Sequence, residues 1–175
     1  MNRMLAFAIA GAIVGGCAQM GMGTAPEGPK ATATLEPTKG NNTKGAVTFV
    51  QRGDKVMVSA TVSGLKPGAE HGFHIHEKGD CSSGDGMSTG GHFNPGGKPH
   101  GPQSAEHHAG DMPSLKADPY GNAVENFTLT GVTVGSGPND VVGKGLIVHR
   151  DPDDFKTQPT GNAGPRLACA QIKAS

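Results

Sequence analysis

The sequence predicts an all-β protein, an eight-stranded Greek-key sandwich or barrel with two long loops. Short stretches of alternating apolar and polar residues recur along the chain, separated by turn signals, and none shows sustained helical periodicity. Twenty-nine glycines and thirteen prolines occur without a period in 175 residues, a composition typical of turn-rich β proteins. The length suits one domain with extensions, and with no Trp the core must be filled by Val, Ala, Leu and Met.

The first 30 residues predict export and a tether. Arg3 precedes an apolar run that is too short for a comfortable membrane span but suits an export signal. Residues 14–17 (VGGC) are similar to a bacterial lipoprotein processing site, so we expect 1–16 to be a signal peptide and Cys17 to be lipidated. An ordinary signal peptide containing a cysteine is the alternative. Residues 17–30 then form a flexible tether, and the protein lies in the periplasm or cell envelope, anchored to a membrane by lipid.

The remaining chain, residues 31–175, is predicted as the folded domain. The predicted strands cover residues 31–37, 45–51, 55–64, 73–76, 114–118, 123–134, 143–149 and 166–173. Turn signals at Gly40-Asn41-Asn42, at Gly53-Asp54 and over residues 118–122 separate several of these strands. The formal net charge is zero, with no basic stripe or acidic run, so binding of nucleic acid or anionic lipid by bulk charge is unsupported.

Residues 71–111 hold seven of the eight histidines and predict a metal site. His74 and His76 alternate with apolar residues on one predicted strand, so both imidazoles point to the same side. The Gly- and Pro-rich loop that follows presents further candidates at spacings of 8, 8 and 3, namely His92, His100, His108 and Asp111. Imidazoles with one carboxylate suit Zn or Cu, whereas Ca and Mg prefer oxygen ligands. The number of candidates indicates more than one metal ion.

The number of cysteines is consistent with export. If Cys17 carries lipid, Cys81 and Cys169 remain, an even pair in an oxidising compartment. They are 88 residues apart, so a disulfide would tie the histidine-rich loop to the last strand. The chain-entropy model assigns such a loop about 4.6 kcal/mol of stabilisation. Two unrelated buried thiols are the alternative.

Four segments, in order along the chain, resemble the Cu,Zn superoxide dismutase family. GFHIH at 72–76 is similar to its copper motif, GGHFNP at 90–95 to its bridging-histidine motif, HHAGD at 107–111 to its zinc segment, and GNAGPRLAC at 161–169 to its C-terminal signature. The resemblance extends over residues 31–175. It implies an enzyme that dismutes superoxide anion to dioxygen and hydrogen peroxide, with one copper and one zinc per subunit. The predicted export signal would place this activity outside the cytoplasm, and a homodimer is the candidate assembly.

The resemblance also implies a ligand set for each metal. Copper would be held by His74, His76, His92 and His149. Zinc would be held by His92, His100, His108 and Asp111. His92 would serve both metals as a bridging imidazolate. Four nitrogen ligands suit Cu(II), and three imidazoles with one carboxylate can close a tetrahedron around Zn(II). His107 is one residue off the zinc spacing and is expected to face solvent, and His71 is expected to be structural.

Further residues are implied around the two metals. Asp153 matches an aspartate that hydrogen-bonds ligands of both metals, with Asp151 and Asp154 as alternatives for this role. Thr160 and Arg166 match the residues that narrow the copper channel, and Arg166, as the catalytic residue, would offer a fixed cation to a small anion. Two other functions compete with the enzyme: a copper or zinc carrier without turnover, which needs no channel arginine, and a non-catalytic sandwich module.

Overall fold

The computed structural model describes residues 27–175, so the predicted signal peptide, Cys17 and most of the predicted tether lie outside the described residues. This part of the chain forms ten β-strands and one short 3₁₀ turn, Met87–Thr89, and contains no α-helix. The strands are β1 (Lys30–Pro37), β2 (Lys44–Arg52), β3 (Lys55–Ser63), β4 (Glu70–His71), β5 (Phe73–His76), β6 (Leu115–Lys116), β7 (Ala123–Thr130), β8 (Gly145–His149), β9 (Arg166–Gln171) and β10 (Lys173–Ala174).

One curled antiparallel sheet holds eight of these strands. Its order is β5-β8-β9-β1-β2-β3-β7, and β10 pairs with the start of β1, whereas β9 pairs with its end. β4 and β6 form a separate two-stranded pair. Several neighbours in the sheet, such as β5 with β8 and β3 with β7, are joined by long connections, as in Greek-key folds. The all-β prediction is confirmed.

Alternating side chains explain why the sheet closes around a core. In β1 and β3 every second residue is buried, because successive side chains of a strand point to opposite faces. Gly53, with φ of +59°, supplies the left-handed backbone that the tight turn between β2 and β3 requires. The largest fully buried apolar side chains are Phe49, Phe73, Leu35, Ile75, Met112, Leu115, Leu129, Leu146, Ile147 and Ile172.

The observed boundaries differ from several of the predicted ones, by one or two residues at most strand ends and more at two places. The strand predicted over 123–134 ends at Thr130, because Gly131 turns the chain with a φ of +77°. The last predicted strand is split around Ile172, which is buried between β9 and β10. The last residues before 31 also contact the sheet: the backbone N–H of Gly28 donates to the carbonyl of Gln51 at 2.9 Å.

β5 and β8 are buried on both faces. Phe73 and Ile75 of β5 belong to the apolar core, while His74 and His76 point to the opposite face. Two long loops cover that face: residues 77–114, and residues 150–165 between β8 and β9. Side chains of both loops therefore lie against this face of the sheet.

A disulfide joins the first of these loops to the sheet. Cys81 is bonded to Cys169 of β9, with a Cα–Cα distance of 6.0 Å, and the predicted pairing is confirmed. No helix between residues 27 and 175 is long and apolar enough to cross a membrane.

Candidate metal centre

The structure brings the predicted ligands together as two groups of four buried side chains that share one member. Within each group the candidate ligand atoms lie within 4.8 Å of one another. The first group consists of His74, His76, His92 and His149. The second consists of His92, His100, His108 and Asp111. These residues are spread widely along the chain, and the site forms because β5, β8 and the first long loop converge on one place.

Each imidazole of the first group except His92 uses one ring nitrogen to fix its orientation on a carbonyl or on Asp153. His76 donates from Nδ1 to the carbonyl of Gly90 at 2.9 Å, and His149 donates from Nδ1 to the carbonyl of Gly164 at 3.0 Å. His74 donates from Nε2 to a carboxylate oxygen of Asp153 at 2.7 Å. Because a carbonyl or carboxylate can only accept, these contacts leave the lone pair on the other nitrogen of each ring.

Those other nitrogens are buried and have no hydrogen-bond partner, and the same holds for Nε2 of His92. The four atoms are Nδ1 of His74 and Nε2 of His76, His92 and His149. A buried polar atom without a partner costs about 1–3 kcal/mol, so four in one group require an explanation. A metal ion supplies it, because a neutral imidazole whose other nitrogen donates a hydrogen bond is the usual form of a histidine ligand. Four nitrogen donors fit copper.

The electrostatics keep His74 and His149 neutral and ready to bind a cation. Burial lowers the pKa of His74 to about 4, although the hydrogen bond to Asp153 opposes the shift. Burial and the neighbouring His74 lower the pKa of His149 to about 3. Neither ring therefore carries a proton at its unpartnered nitrogen near pH 7, and a metal can bind there without displacing one.

The second group is arranged around Asp111. Its Oδ1 lies 2.8 Å from Nδ1 of His92, 3.0 Å from Nδ1 of His100 and 3.4 Å from Nδ1 of His108. Its Oδ2 accepts backbone N–H groups of His108 at 2.9 Å and Gly101 at 3.1 Å. Three imidazole nitrogens and one carboxylate oxygen form a donor set that fits a closed tetrahedral zinc site.

Close charges shift the pKa values of this second group strongly. Burial alone would raise the pKa of Asp111, but hydrogen bonds from His100 and His92 hold it well below its usual range. Burial lowers the pKa of His100, and the carboxylates of Asp111 and Asp153 outweigh it and raise the value to about 9. Without a metal, His100 is thus a cation between two anions, and a bound dication would take the place of its proton.

His92 lies between the groups. Its Nδ1 faces Asp111 in the second group, while its Nε2 is unpartnered and faces the first. The ring stacks on His74 with centroids 4.0 Å apart, which restricts its rotation. The two nitrogens of one imidazole are thus directed at two different groups of donors.

Asp153 connects the groups a second time. Its Oδ2 accepts from Nε2 of His74 at 2.7 Å, and its Oδ1 accepts from Nε2 of His100 at 2.9 Å and from the backbone N–H of Phe155 at 2.7 Å. The two alternatives for this role lie elsewhere: Asp151 pairs with Arg150, and the exposed Asp154 holds turns of its own loop.

Gly161 is required beside this carboxylate. A Cβ at this position would overlap Oδ1 of Asp153 and would lie 2.6 Å from Nε2 of His100. Its φ of +63° is also in the left-handed region that favours glycine. The loop can therefore close over Asp153 and His100 only with glycine at residue 161.

Arg166 and Thr160 line an open cleft of about 420 Å³ that leads to His76 and His149. The guanidinium of Arg166 donates to the carbonyls of Gly86 and Gly90 and to the hydroxyl of Thr89. These bonds use three of its five N–H groups and fix the half-buried cation. The other two N–H groups have no acceptor in residues 27–175.

Three supporting residues are absent from the sequence-based prediction. The hydroxyl of Thr89 contacts Nδ1 of His76 at 3.2 Å and also accepts from Arg166. The amide of Gln158 accepts from the backbone N–H of His100 at 2.8 Å and donates to its carbonyl at 2.9 Å. The ring of Phe155 stacks on His100. No spacing pattern indicates these contacts, because the partners are far apart in the chain.

The two histidines predicted to lie outside the metal site belong to neither group. His71 is buried, and its Nδ1 donates to the carbonyl of His149 at 2.9 Å, a contact that supports the end of β8. His107 is partly exposed, and its Nδ1 lies 2.7 Å from the carbonyl of Ala105 in its own loop.

Comparison with known proteins gives consistent matches. Residues 43–172 match the family model described as copper/zinc superoxide dismutase (SODC). A curated protein from Brassica juncea, superoxide dismutase [Cu-Zn] 2, is 46% identical over 152 residues, which covers 82% of this chain and 96% of that protein. Among solved structures, a crystal structure of the clock protein EA4 superposes with a TM-score of 0.76 and 36% identity, covering 83% of this chain and 94% of that one.

Proposed function

This chain belongs to the copper/zinc superoxide dismutase family, and from that premise we propose which residues hold each metal and how they act. The protein is a superoxide dismutase that binds one copper and one zinc per subunit. Copper is held by His74, His76, His92 and His149, and zinc by His92, His100, His108 and Asp111. The observation that carries this proposal is the set of four buried, unpartnered nitrogens, together with a second group of three imidazoles and one carboxylate.

In this proposal His92 bridges the two metals. When bound, copper supplies reversible one-electron exchange with superoxide. Dismutation of two superoxide anions consumes two protons, so the site also needs a group that can hold one. His92 suits this role because its two ring nitrogens face different groups, Nδ1 the carboxylate of Asp111 and Nε2 the first group, whereas Nδ1 of His76 and of His149 is bonded to a carbonyl. While Nδ1 stays with the second group, Nε2 of His92 would hold the proton that the product takes.

Arg166 attracts and positions the anion. The protein has no net charge, so attraction must come from local charges at the cleft. The guanidinium is fixed by three hydrogen bonds and keeps two N–H groups for a ligand, which makes it a preorganised anion site. Thr160 lines the same cleft and limits its width.

A magnetic measurement tests the bridge. We would place Co(II) in the zinc site and Cu(II) in the copper site and record the copper EPR signal. If His92 joins both ions, their coupling through one imidazole suppresses the signal that copper shows with zinc as its neighbour. A copper signal that is the same with cobalt and with zinc would contradict the bridge. Superoxide decay measured on the same samples distinguishes the enzyme from a carrier, which would bind both metals without turnover.

We also propose that the protein is exported and lipid-anchored in the periplasm or cell envelope, with 1–16 as its signal peptide and Cys17 acylated. The sequence VGGC after the apolar run supports this, as does the Cys81–Cys169 disulfide, which is typical of oxidising compartments. Stable anchoring requires two or more acyl chains. Mass spectrometry of the mature N-terminus from the membrane fraction tests the proposal, and an unmodified N-terminus or a freely soluble protein would contradict it.

On the family resemblance alone we propose a homodimer. Sedimentation of the metal-loaded protein tests it, and a monomer at all concentrations would reject it.

A further inference from the structure

Met87 presents a thioether at the cleft that Arg166 and Thr160 line, which we call the copper cleft. It is 61% exposed, although it is large and apolar. It lines the cleft together with His76, His149 and Arg166. It also lines an adjoining outer hollow that contains Lys39. The thioether of Met87 is therefore one of the groups that a molecule in this cleft can contact.

The position of Met87 is fixed by the turn that carries it. Its backbone N–H donates to a carboxylate oxygen of Asp85 at 2.9 Å, and Arg166 donates to the carbonyl of the preceding residue, Gly86. The same turn ends at Thr89 and Gly90, which contact Nδ1 of His76. One short, hydrogen-bonded segment thus presents the Met87 thioether outside and orients a copper ligand inside.

The copper ligands lie behind this turn. His76 is fully buried and His149 is 4% exposed, and Nε2 of each is unpartnered. A metal ion can reach these nitrogens only after it has lost the ligands that held it in solution. A thioether is a soft, polarisable donor that suits Cu(I), so Met87 offers a replacement ligand for reduced copper.

We propose that Met87 captures cuprous copper at the cleft and passes it to Nε2 of His76 and of His149. This inference rests on the copper assignment proposed above and adds a loading step to it. The bond from Cu(I) to its donor breaks as the bond to Met87 Sδ forms, and the Cu–S bond then breaks as the Cu–N bonds form. No electron moves, and no proton is displaced, because Nδ1 of each ring keeps its hydrogen bond to a carbonyl.

Exposure alone would not distinguish this residue, since single exposed apolar side chains are common on protein surfaces. Met57 provides the matched control. It is 43% exposed and lies on β3, between β2 and β7, far from the strands that carry the copper ligands. Met57→Leu and Met87→Leu make the same chemical change, which removes the sulfur and nearly conserves the volume of the side chain.

The test measures copper loading of the zinc-containing, copper-free protein without oxygen. Cu(I) is supplied as its bicinchoninate complex, and loss of the colour of that complex gives the loading rate. We expect Met87→Leu to load about tenfold more slowly than wild type, equivalent to about 1.4 kcal/mol on the barrier. We expect Met57→Leu to match wild type, and all three proteins to reach the same final copper content. With Cu(II) supplied as its glycinate complex, the three rates should be equal.

A Cu(I) loading rate for Met87→Leu equal to that of wild type overturns the inference. Equal slowing with Cu(I) and Cu(II) also overturns it, because the effect would then come from the shape of the cleft and not from the thioether. Failure of the wild-type protein to take up copper would refute the copper assignment itself. Normal uptake by wild type with an unaltered rate in Met87→Leu would refute only the capture role.

Discussion

The carboxylate of Asp153 should be required for tight binding of both metals, and Asp153→Asn tests this. The carboxylate accepts from Nε2 of His74 through one oxygen and from Nε2 of His100 through the other. An amide has only one accepting oxygen, so it can serve one of these imidazoles while its NH₂ group faces the N–H of the other. One ring must then rotate or move its proton to the nitrogen that faces the metal.

The size of the effect follows from the type of contact. Groups that orient the histidine ligands of a metal typically contribute about 10- to 100-fold in metal affinity. That factor corresponds to about 1.4–2.7 kcal/mol. Because Asp153 is buried and contacts one imidazole from each group, we expect losses in this range for copper and for zinc. The side chain keeps its size, so we expect the fold to be retained.

Competition with chelators of known affinity measures both dissociation constants, and circular dichroism verifies the fold. Asp54→Asn is the matched control, because Asp54 lies on the exposed turn between β2 and β3 and contacts neither metal group. We expect wild-type affinities for this control. Unchanged copper and zinc affinities in Asp153→Asn would refute the reasoning, because they would show that the carboxylate does not control the orientation of the ligands.

Three further predictions concern pH, the channel and the disulfide. The pKa of His100 is raised to about 9 in the metal-free protein, so zinc binding near pH 7 should release about one proton, and zinc affinity should rise with pH until about 9. Calorimetry in buffers of different ionisation enthalpy measures the number of protons released. Zinc binding at pH 7 without proton release would contradict the assignment. Arg166→Ala should slow dismutation by about tenfold or more without loss of copper, since an oriented cation at a partly dry site stabilises a bound anion by about 1–2 kcal/mol. An unchanged rate constant at low ionic strength would argue against a role for Arg166 in positioning superoxide. Mild reduction of the Cys81–Cys169 disulfide should lower activity before the protein unfolds, because the bond ties the first loop to the strand that carries Arg166. If activity and the near-UV circular dichroism signal are lost together, the disulfide only stabilises the fold.

Local patterns in the sequence predict much of this fold. The alternation in residues 31–37 and 55–64 matches the buried and exposed faces of β1 and β3, because a strand covered on one side must bury every second residue. The same reasoning fails where a strand ends within an apolar stretch. Val132 and Val134 are buried, yet they follow Gly131 outside β7, so burial alone did not indicate the end of the strand.

The candidate site divides in a similar way. Its ligands lie in short motifs whose residue types and spacings indicate metal binding from the sequence alone. The groups that orient those ligands are placed by the paths of two long loops. Gln158 forms hydrogen bonds with the backbone of His100, which lies 58 residues earlier in the chain. Thr89 contacts His76 and accepts a hydrogen bond from Arg166, which lies 77 residues later. Such contacts leave no local pattern, so only the three-dimensional structure identifies them.

The His149→Ala variant tests the assignment of the copper ligands most directly. Its metal content and its superoxide turnover are measured together on protein supplied with both metals. His149 belongs to the copper group alone, while all four zinc ligands remain in this variant. We expect a folded protein with one zinc per subunit, little copper and no catalysed decay of superoxide, whereas the wild-type protein should hold both metals and catalyse the decay. Full copper content and wild-type turnover in His149→Ala would contradict the assignment.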